Sequence, residues 1–190
     1  MRFIADLHIH SRFSRATSRQ CDLPHLHAAA QAKGIAVVGT GDFTHPGWLE
    51  ELETQLLEEG DGLYRLKEGI AREAEADVPD ACRGPVRFLL TAEISNIYKK
   101  DGRTRKNHNL LLAPDLKAAR AVHEALDRIG NVRSDGRPIL GLDARDLLEI
   151  VLESAPGAEL IPAHVWTPWF SLFGSRSGFD ALEEGFEALS

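Results

Sequence analysis

Ile4-Ala5-Asp6-Leu7-His8-Ile9-His10-Ser11 decides how this chain is read. The stretch has the alternation of a β-strand, and side chains two apart on a strand project to the same face, about 6.5–7 Å apart along it. His8 and His10 therefore converge, and two neutral imidazoles on one face can share a divalent metal.

Further chemistry-bearing residues fall where other strands end. Ile35-Ala36-Val37-Val38 is a short apolar run that follows a helix, the pattern of a parallel strand covered on both faces. That helix starts at Asp22-Leu23-Pro24, runs to about Lys33 and closes at Gly34. Gly39-Thr40-Gly41-Asp42-Phe43-Thr44-His45-Pro46 comes next, so Asp42 and His45 lie beyond a carboxyl end, where α/β folds collect function. Val86 to Thr91 reads as the next strand and leads to Glu93, a carboxylate able to bridge two ions. Ile97 to Arg105 reads as a hairpin with Asp101-Gly102 at its turn. Asn107 to Ala113 reads as the next strand, and His108 enters its strongly apolar run, where an unpaired imidazole is costly. Ala158 to Ala163 is a last buried strand, with His164 at its end. Four of the eight histidines thus reach one rim. Together with Asp42 and Glu93 they form an imidazole–carboxylate set suited to zinc, manganese or iron.

The intervening helices are expected over Trp48–Glu59, around Ile70–Ala76, from the Asp115 cap to about Ile129, and over Ala144–Glu153. His25, His27 and His123 sit on helices; the first two read as surface or packing residues and His123 as surface. Two basic clusters flank candidate ligands: Arg12, Arg15 and Arg19, and Lys99, Lys100, Arg103, Arg105 and Lys106. Both are candidate phosphate-backbone contacts. The loop from Val165 to Gly174 carries Trp166, Trp169 and Phe170, and reads either as a hydrophobic flap over the rim or as a platform on which a nucleobase can stack.

Composition sets the frame. The chain has 190 residues, 43% of them hydrophobic, enough for one sizeable core. Its net charge of −7 argues against coating nucleic acid through an overall basic field and leaves room for a local track. There is no basic leader followed by an apolar segment, and no run of about 18 apolar residues, so a cytoplasmic protein with no membrane partner is expected. Two cysteines make neither a disulfide framework nor a four-cysteine zinc site.

The motif set resembles the PHP family, the polymerase-and-histidinol-phosphatase superfamily of metal-dependent phosphoesterases. Asp6-Leu7-His8-Ile9-His10 looks like its first motif. Thr40-Gly41-Asp42 stands where the second usually has Asp-His. Glu93 looks like the bridging glutamate, and His108 and His164 like later single-histidine motifs. Three longer strings are similar to the endonuclease Q family: Gly39 to Pro46, Ser134-Asp135-Gly136-Arg137-Pro138-Ile139-Leu140-Gly141, and Pro162 to Gly174. The resemblance implies an α/β fold, a PHP-type distorted (β/α)7 barrel. It also implies a hydrolase with two or three divalent ions (zinc, or manganese, magnesium or iron) that cuts DNA 5′ to deaminated bases such as uracil, hypoxanthine and xanthine. In that implied mechanism the ions lower the pKa of a bound water. Glu93 bridges; His8 and His10 hold one ion, His108 and His164 another, and Asp42, with His45, the remaining site; Glu93 and Asp42 are the implied catalytic pair. A sliding clamp is a candidate partner.

The chain departs from the family pattern in three ways. No Asp-x-His motif follows His164 before Ser190, no cysteine-rich zinc segment or helical region follows, and no further histidine stands near Ala16. Residues 1–190 are therefore expected to be one PHP domain, truncated before its last motif and incomplete at the C-terminus, with a third metal weakly held. A small-molecule phosphatase of histidinol-phosphate type and an inactive metal-binding fragment are the alternative readings.

Overall fold

In the computed structural model, which describes residues 2–187, the chain is a mixed α/β fold built on one curled eight-stranded sheet. Strand β1 (Ala5–Asp6) pairs in parallel with β2 (Val37–Gly39), and β2 pairs in parallel with the start of β5 (Arg87–Lys100). On its other side this first part of β5 carries a hairpin, β3 (Leu56–Gly60) and β4 (Leu63–Leu66), with Tyr64 opposite Phe88. From Leu90 onward β5 changes neighbours. It pairs antiparallel with β6 (Arg103–Ala113), and at Ser95–Asn96 in parallel with β7 (Ile139–Leu140). Strand β8 (Glu159–Pro162) lies antiparallel to β6. Consequently β1, β2, β5, β7 and β8 all run the same way, and whatever follows β1, β2 and β8 emerges at one end of the sheet.

Local chemistry explains most of the elements. Helix α1 (Leu23–Lys33) begins where the Asp22 side chain accepts from His25 N and ends at Gly34 in a left-handed conformation, φ 69°. The β5–β6 turn has both central residues at positive φ, Asp101 at 52° and Gly102 at 73°, the combination a tight two-residue hairpin requires. Helix α4 (Leu116–Asp127) is capped by Asp115, which accepts from Ala118 N. Helices α2 (Pro46–Gln55), α3 (Glu68–Ala74), α5 (Ala144–Ser154) and the short α6 (Leu182–Phe186) complete the fold. The main core packs Leu23, Phe43, Trp48, Leu52, Phe88, Leu90, Leu111, Val122, Leu126 and Leu147 between sheet and helices. A smaller cluster of Tyr98, Ala144, Leu172, Phe179 and Phe186 secures the loop after β8.

Three sequence expectations need correction. The helix expected over 48–59 stops at Gln55, and Leu56–Gly60 is β3. Pairing with β4, through a turn in which Gly60, Asp61 and Gly62 all take positive φ, outweighs the helical propensity of this Leu- and Glu-rich segment. The expected first strand ends at Asp6, so His8 and His10 lie in the stretch beyond it. His123 is buried, its Nδ1 2.7 Å from Thr44 O, because the packed face of α4 is broad enough to take in a residue next to Val122. His27 is a packing residue, its Nε2 2.9 Å from Glu75 Oε1.

Phe88 is fully buried where β2, β4 and β5 meet. Phe88→Ala is expected to lower unfolding free energy by about 3–5 kcal/mol in denaturant titration; a loss below about 1 kcal/mol contradicts this packing.

Candidate metal centre

Glu93 lies four residues past Leu89, the last β5 residue opposite β2, and so sits level with the loops beyond β1 and β2. His8 and His10 reach it from beyond β1, His108 diagonally from β6, two residues before the Leu110 that pairs with Glu93, and His164 from beyond β8. The carboxylate is 1% exposed and has imidazoles on both oxygens. His8 Nε2 is 3.1 Å, His108 Nδ1 2.9 Å and His164 Nε2 3.4 Å from Oε1, while His10 Nε2 is 3.1 Å from Oε2.

Burial opposes ionisation of Glu93, but its contacts with His10, His108 and His8 more than offset it and hold the carboxyl far below the usual range. Oε1 nevertheless accepts no well-aligned hydrogen bond, although three imidazole nitrogens surround it. His108 Nδ1 and His164 Nε2 also approach to 3.2 Å. Three nitrogens that converge on a buried oxygen left without a well-aligned donor, two of them bonded to each other, fit a shared cation better than a complete hydrogen-bond network. Two groups meet the requirement, His8–His10–Glu93 and Glu93–His108–His164, with the ligand atoms of each within 4.8 Å of one another. Glu93 belongs to both.

A second layer orients these rings. Asp42 Oδ1 lies 3.0 Å from His10 Nδ1, which fixes the ring with its Nε2 turned toward Glu93. Its Oδ2 accepts from Ser11 N, Ser11 Oγ and Ser14 Oγ at 2.7, 2.7 and 3.0 Å. Asp42 takes this position with a left-handed backbone, φ 54°, directly after Gly41 at φ 65°, whose missing side chain lets Ile9 O approach. Gly136 closes over the same carboxylate, since a Cβ there would collide with Asp42 and Ser14. Burial would lower the His10 pKa, but the hydrogen bonds to Asp42 and Glu93 and their charges raise it to about 9. His164 donates from Nδ1 to Thr167 Oγ, which itself donates to Trp169 O, so its Nε2 also faces inward as an acceptor. Its pKa is lowered by burial and by His108.

The structure brings together His8, His10, Glu93, His108 and His164. Asp42 stands behind His10, outside both three-residue groups. His45 stacks on Phe13 at 4.4 Å and its Nε2 is 3.0 Å from Arg133 O, also outside them. Among the basic residues, Arg15, Arg19, Lys99 and Arg103 are exposed. Arg12 pairs with Asp22 and Glu51, and Lys100 with Asp143 and Glu187. Arg105 is buried, donating to Gly178 O and lying 4.1 Å over the Phe179 ring, so it ties the loop after β8 to β6. Lys106 Nζ lies over Trp169 and Phe170. Trp166 and Trp169 are exposed, whereas Phe170 is half-buried 4.8 Å from His108. Sequence reasoning missed Ser11, Ser14 and Arg137 as site residues. Arg137 Nη1 donates to Glu93 Oε2 at 3.3 Å.

Fold and site thus define a mixed α/β protein with a buried glutamate shared between two histidine groups able to hold metal ions. No family model matches the chain. An uncharacterized protein of Methanocaldococcus jannaschii is 29% identical over 185 residues, covering 97% of this chain and 18% of that protein. Two solved structures each match 99% of this chain at 30% identity. They are endonuclease Q in complex with a 27-mer duplex substrate with an abasic lesion at the active site, TM-score 0.77, and the lesion-specific endonuclease PfuEndoQ from Pyrococcus furiosus, TM-score 0.74. The chain spans 40% of the length of each. It is similar to endonuclease Q over nearly its whole length.

Imidazoles must be deprotonated to ligate, so metal uptake at about pH 7.5 is expected to release protons, fewer in Asp42→Asn, where His10 loses its raising partner. Calorimetry in buffers of different ionisation enthalpy reads this; uptake without proton release contradicts the arrangement.

Proposed function

We propose that this chain carries the metal-binding, catalytic part of a DNA-repair endonuclease of endonuclease Q type. The reading extends to a metal-dependent hydrolase cleaving the phosphodiester 5′ to deaminated bases, uracil, hypoxanthine or xanthine, with residues 1–190 forming one domain on a PHP-type (β/α)7 plan. One observation carries it: the buried Glu93 is shared by two histidine groups, on a fold similar to a nuclease solved with lesion-bearing duplex DNA.

His8, His10 and Glu93 would hold one ion and Glu93, His108 and His164 a second; zinc and manganese suit this donor set. Bound there, divalent ions supply activation of water and neutralisation of phosphate charge. The protein's own residues do the rest. Asp42, anchored by Ser11 and Ser14, holds the His10 ring, and Thr167 holds His164. Glu93 remains an ionised acceptor and needs no proton-transfer role.

DNA is the proposed partner. Arg15 and Arg19 after the His8–His10 pair, and Lys99 and Arg103 near the tip of the β5–β6 hairpin, are exposed cations placed to meet phosphates. Trp166 and Trp169, exposed beside His164, offer faces for an extruded base. Lys106 over Trp169 adds a cation to that platform. Among the described residues no helix is long and apolar enough to cross a membrane.

The test is nicking of a duplex carrying one deoxyuridine, deoxyinosine or abasic site in the presence of Mn²⁺ or Mg²⁺. Cleavage 5′ to the lesion is expected, falling at least about 10²-fold in Glu93→Gln. Cleavage of phosphate monoesters with no nicking of any lesion duplex would overturn the endonuclease reading.

A further inference from the structure

Among the described residues Arg137 is the one arginine or lysine that contacts Glu93, and none of the roles described above uses it. Its Nη1 donates to Glu93 Oε2 at 3.3 Å, the oxygen that also meets His10 Nε2. The side chain is 40% exposed, and among the described residues its guanidinium has no other partner. Its backbone, by contrast, is pinned. Arg137 N donates to Asp135 Oδ1 at 3.1 Å, Gly136 N to Phe13 O at 3.0 Å, and Ser95 N to Pro138 O at 3.0 Å. Gly136 is packed against Asp42 and Ser14 so closely that only glycine fits. The turn is therefore fixed to the layer that orients His10, and only the arginine side chain can swing.

A purely structural ion pair explains this poorly. Glu93 already has four imidazoles around it, and a partly exposed pair contributes little to stability. A guanidinium that shares one carboxylate with two metal ions leaves the centre with excess positive charge, which a further bound anion would offset. A phosphodiester supplies that anion, and the planar fork of arginine matches its two non-bridging oxygens.

We propose that Arg137 is the phosphate-contacting residue of this site, gripping the substrate phosphate beside the Oε2 edge of Glu93. This rests on the metal-dependent reading above. The test uses the full chain loaded with Mn²⁺, with inorganic phosphate as the probe in isothermal titration, on wild type, Arg137→Ala, Arg137→Met and Arg137→Lys. Wild type is expected to bind phosphate, and both neutral variants to bind it about 10–100-fold more weakly. Lysine, which has the charge without the fork, is expected to restore part of the loss. Manganese stoichiometry should stay that of wild type in every variant, and manganese affinity should not fall in the neutral ones, since no ligand is removed and a repelling charge is. Agreement of Met with Ala, at unchanged thermal midpoint, separates loss of charge from loss of packing. Wild-type phosphate affinity in the neutral variants overturns the proposal, as does a metal-loaded wild type that binds no phosphate. So does parallel loss of metal and phosphate, which would make Arg137 a support for Glu93 alone. A wild-type chain that takes up no metal defeats the metal-dependent reading itself, whereas full metal loading with phosphate binding indifferent to Arg137 defeats this proposal only.

Discussion

Everything at the working end of this protein depends on keeping the Glu93 carboxylate charged and out of water. An isolated carboxylate at 1% exposure would cost several kcal/mol. Four imidazoles and a guanidinium hold it ionised, and they come from four places in the chain: two from beyond β1, and one each from β6, beyond β8 and the turn before β7. The fold satisfies this by giving β5 two sets of neighbours. Its first residues lie between β2 and β4, and the rest lies between β6 and β7, with Glu93 just past the change. A shorter strand could not stand beside both His10 and His108.

The same demand shows in the backbone. Asp42, His164 and Phe170 are non-glycine residues with positive φ, 54°, 32° and 58°, and all three contact the ring of ligands or lie next to it. Such conformations cost about 1–3 kcal/mol each and persist only when the surroundings over-determine them. Here they are over-determined: Asp42 by four hydrogen bonds, and the loop after β8 by His108 N to Phe170 O, Lys106 N to Ser177 O and the buried Arg105.

Much of the site was legible in the sequence because local rules govern it. The strand-end rule pointed to His164 and to the His8–His10 pair, which lie beyond β8 and β1, whereas Glu93 lies inside β5, a strand that continues past the expected end at Thr91 to Lys100. The polar His108 leading an apolar run marked itself as needing a partner. What escaped was non-local. Arg137 lies in a polar turn whose residues carry no periodic signal, and only its membership in the string from Ser134 to Gly141 could have pointed to it. Asp42 was visible as a site residue, but its place behind His10 depends on Ser11, Ser14 and a close-packed Gly136 far away in sequence. The β3–β4 hairpin was hidden by helix-forming residues, and the burial of His123 by the breadth of the face α4 packs. Arg105 read as one of a basic run, yet alternation along β6 turns it inward onto Phe179.

Whether Glu93 is the shared ligand of a two-ion centre is tested most directly by diffraction at the manganese or zinc absorption edge from metal-soaked crystals of the chain. Two anomalous peaks flanking the Glu93 carboxylate are expected, one within bonding distance of His8 and His10 and the other of His108 and His164. Absence of metal from this pocket in a folded, metal-saturated crystal, or ions held elsewhere without Glu93, would contradict it.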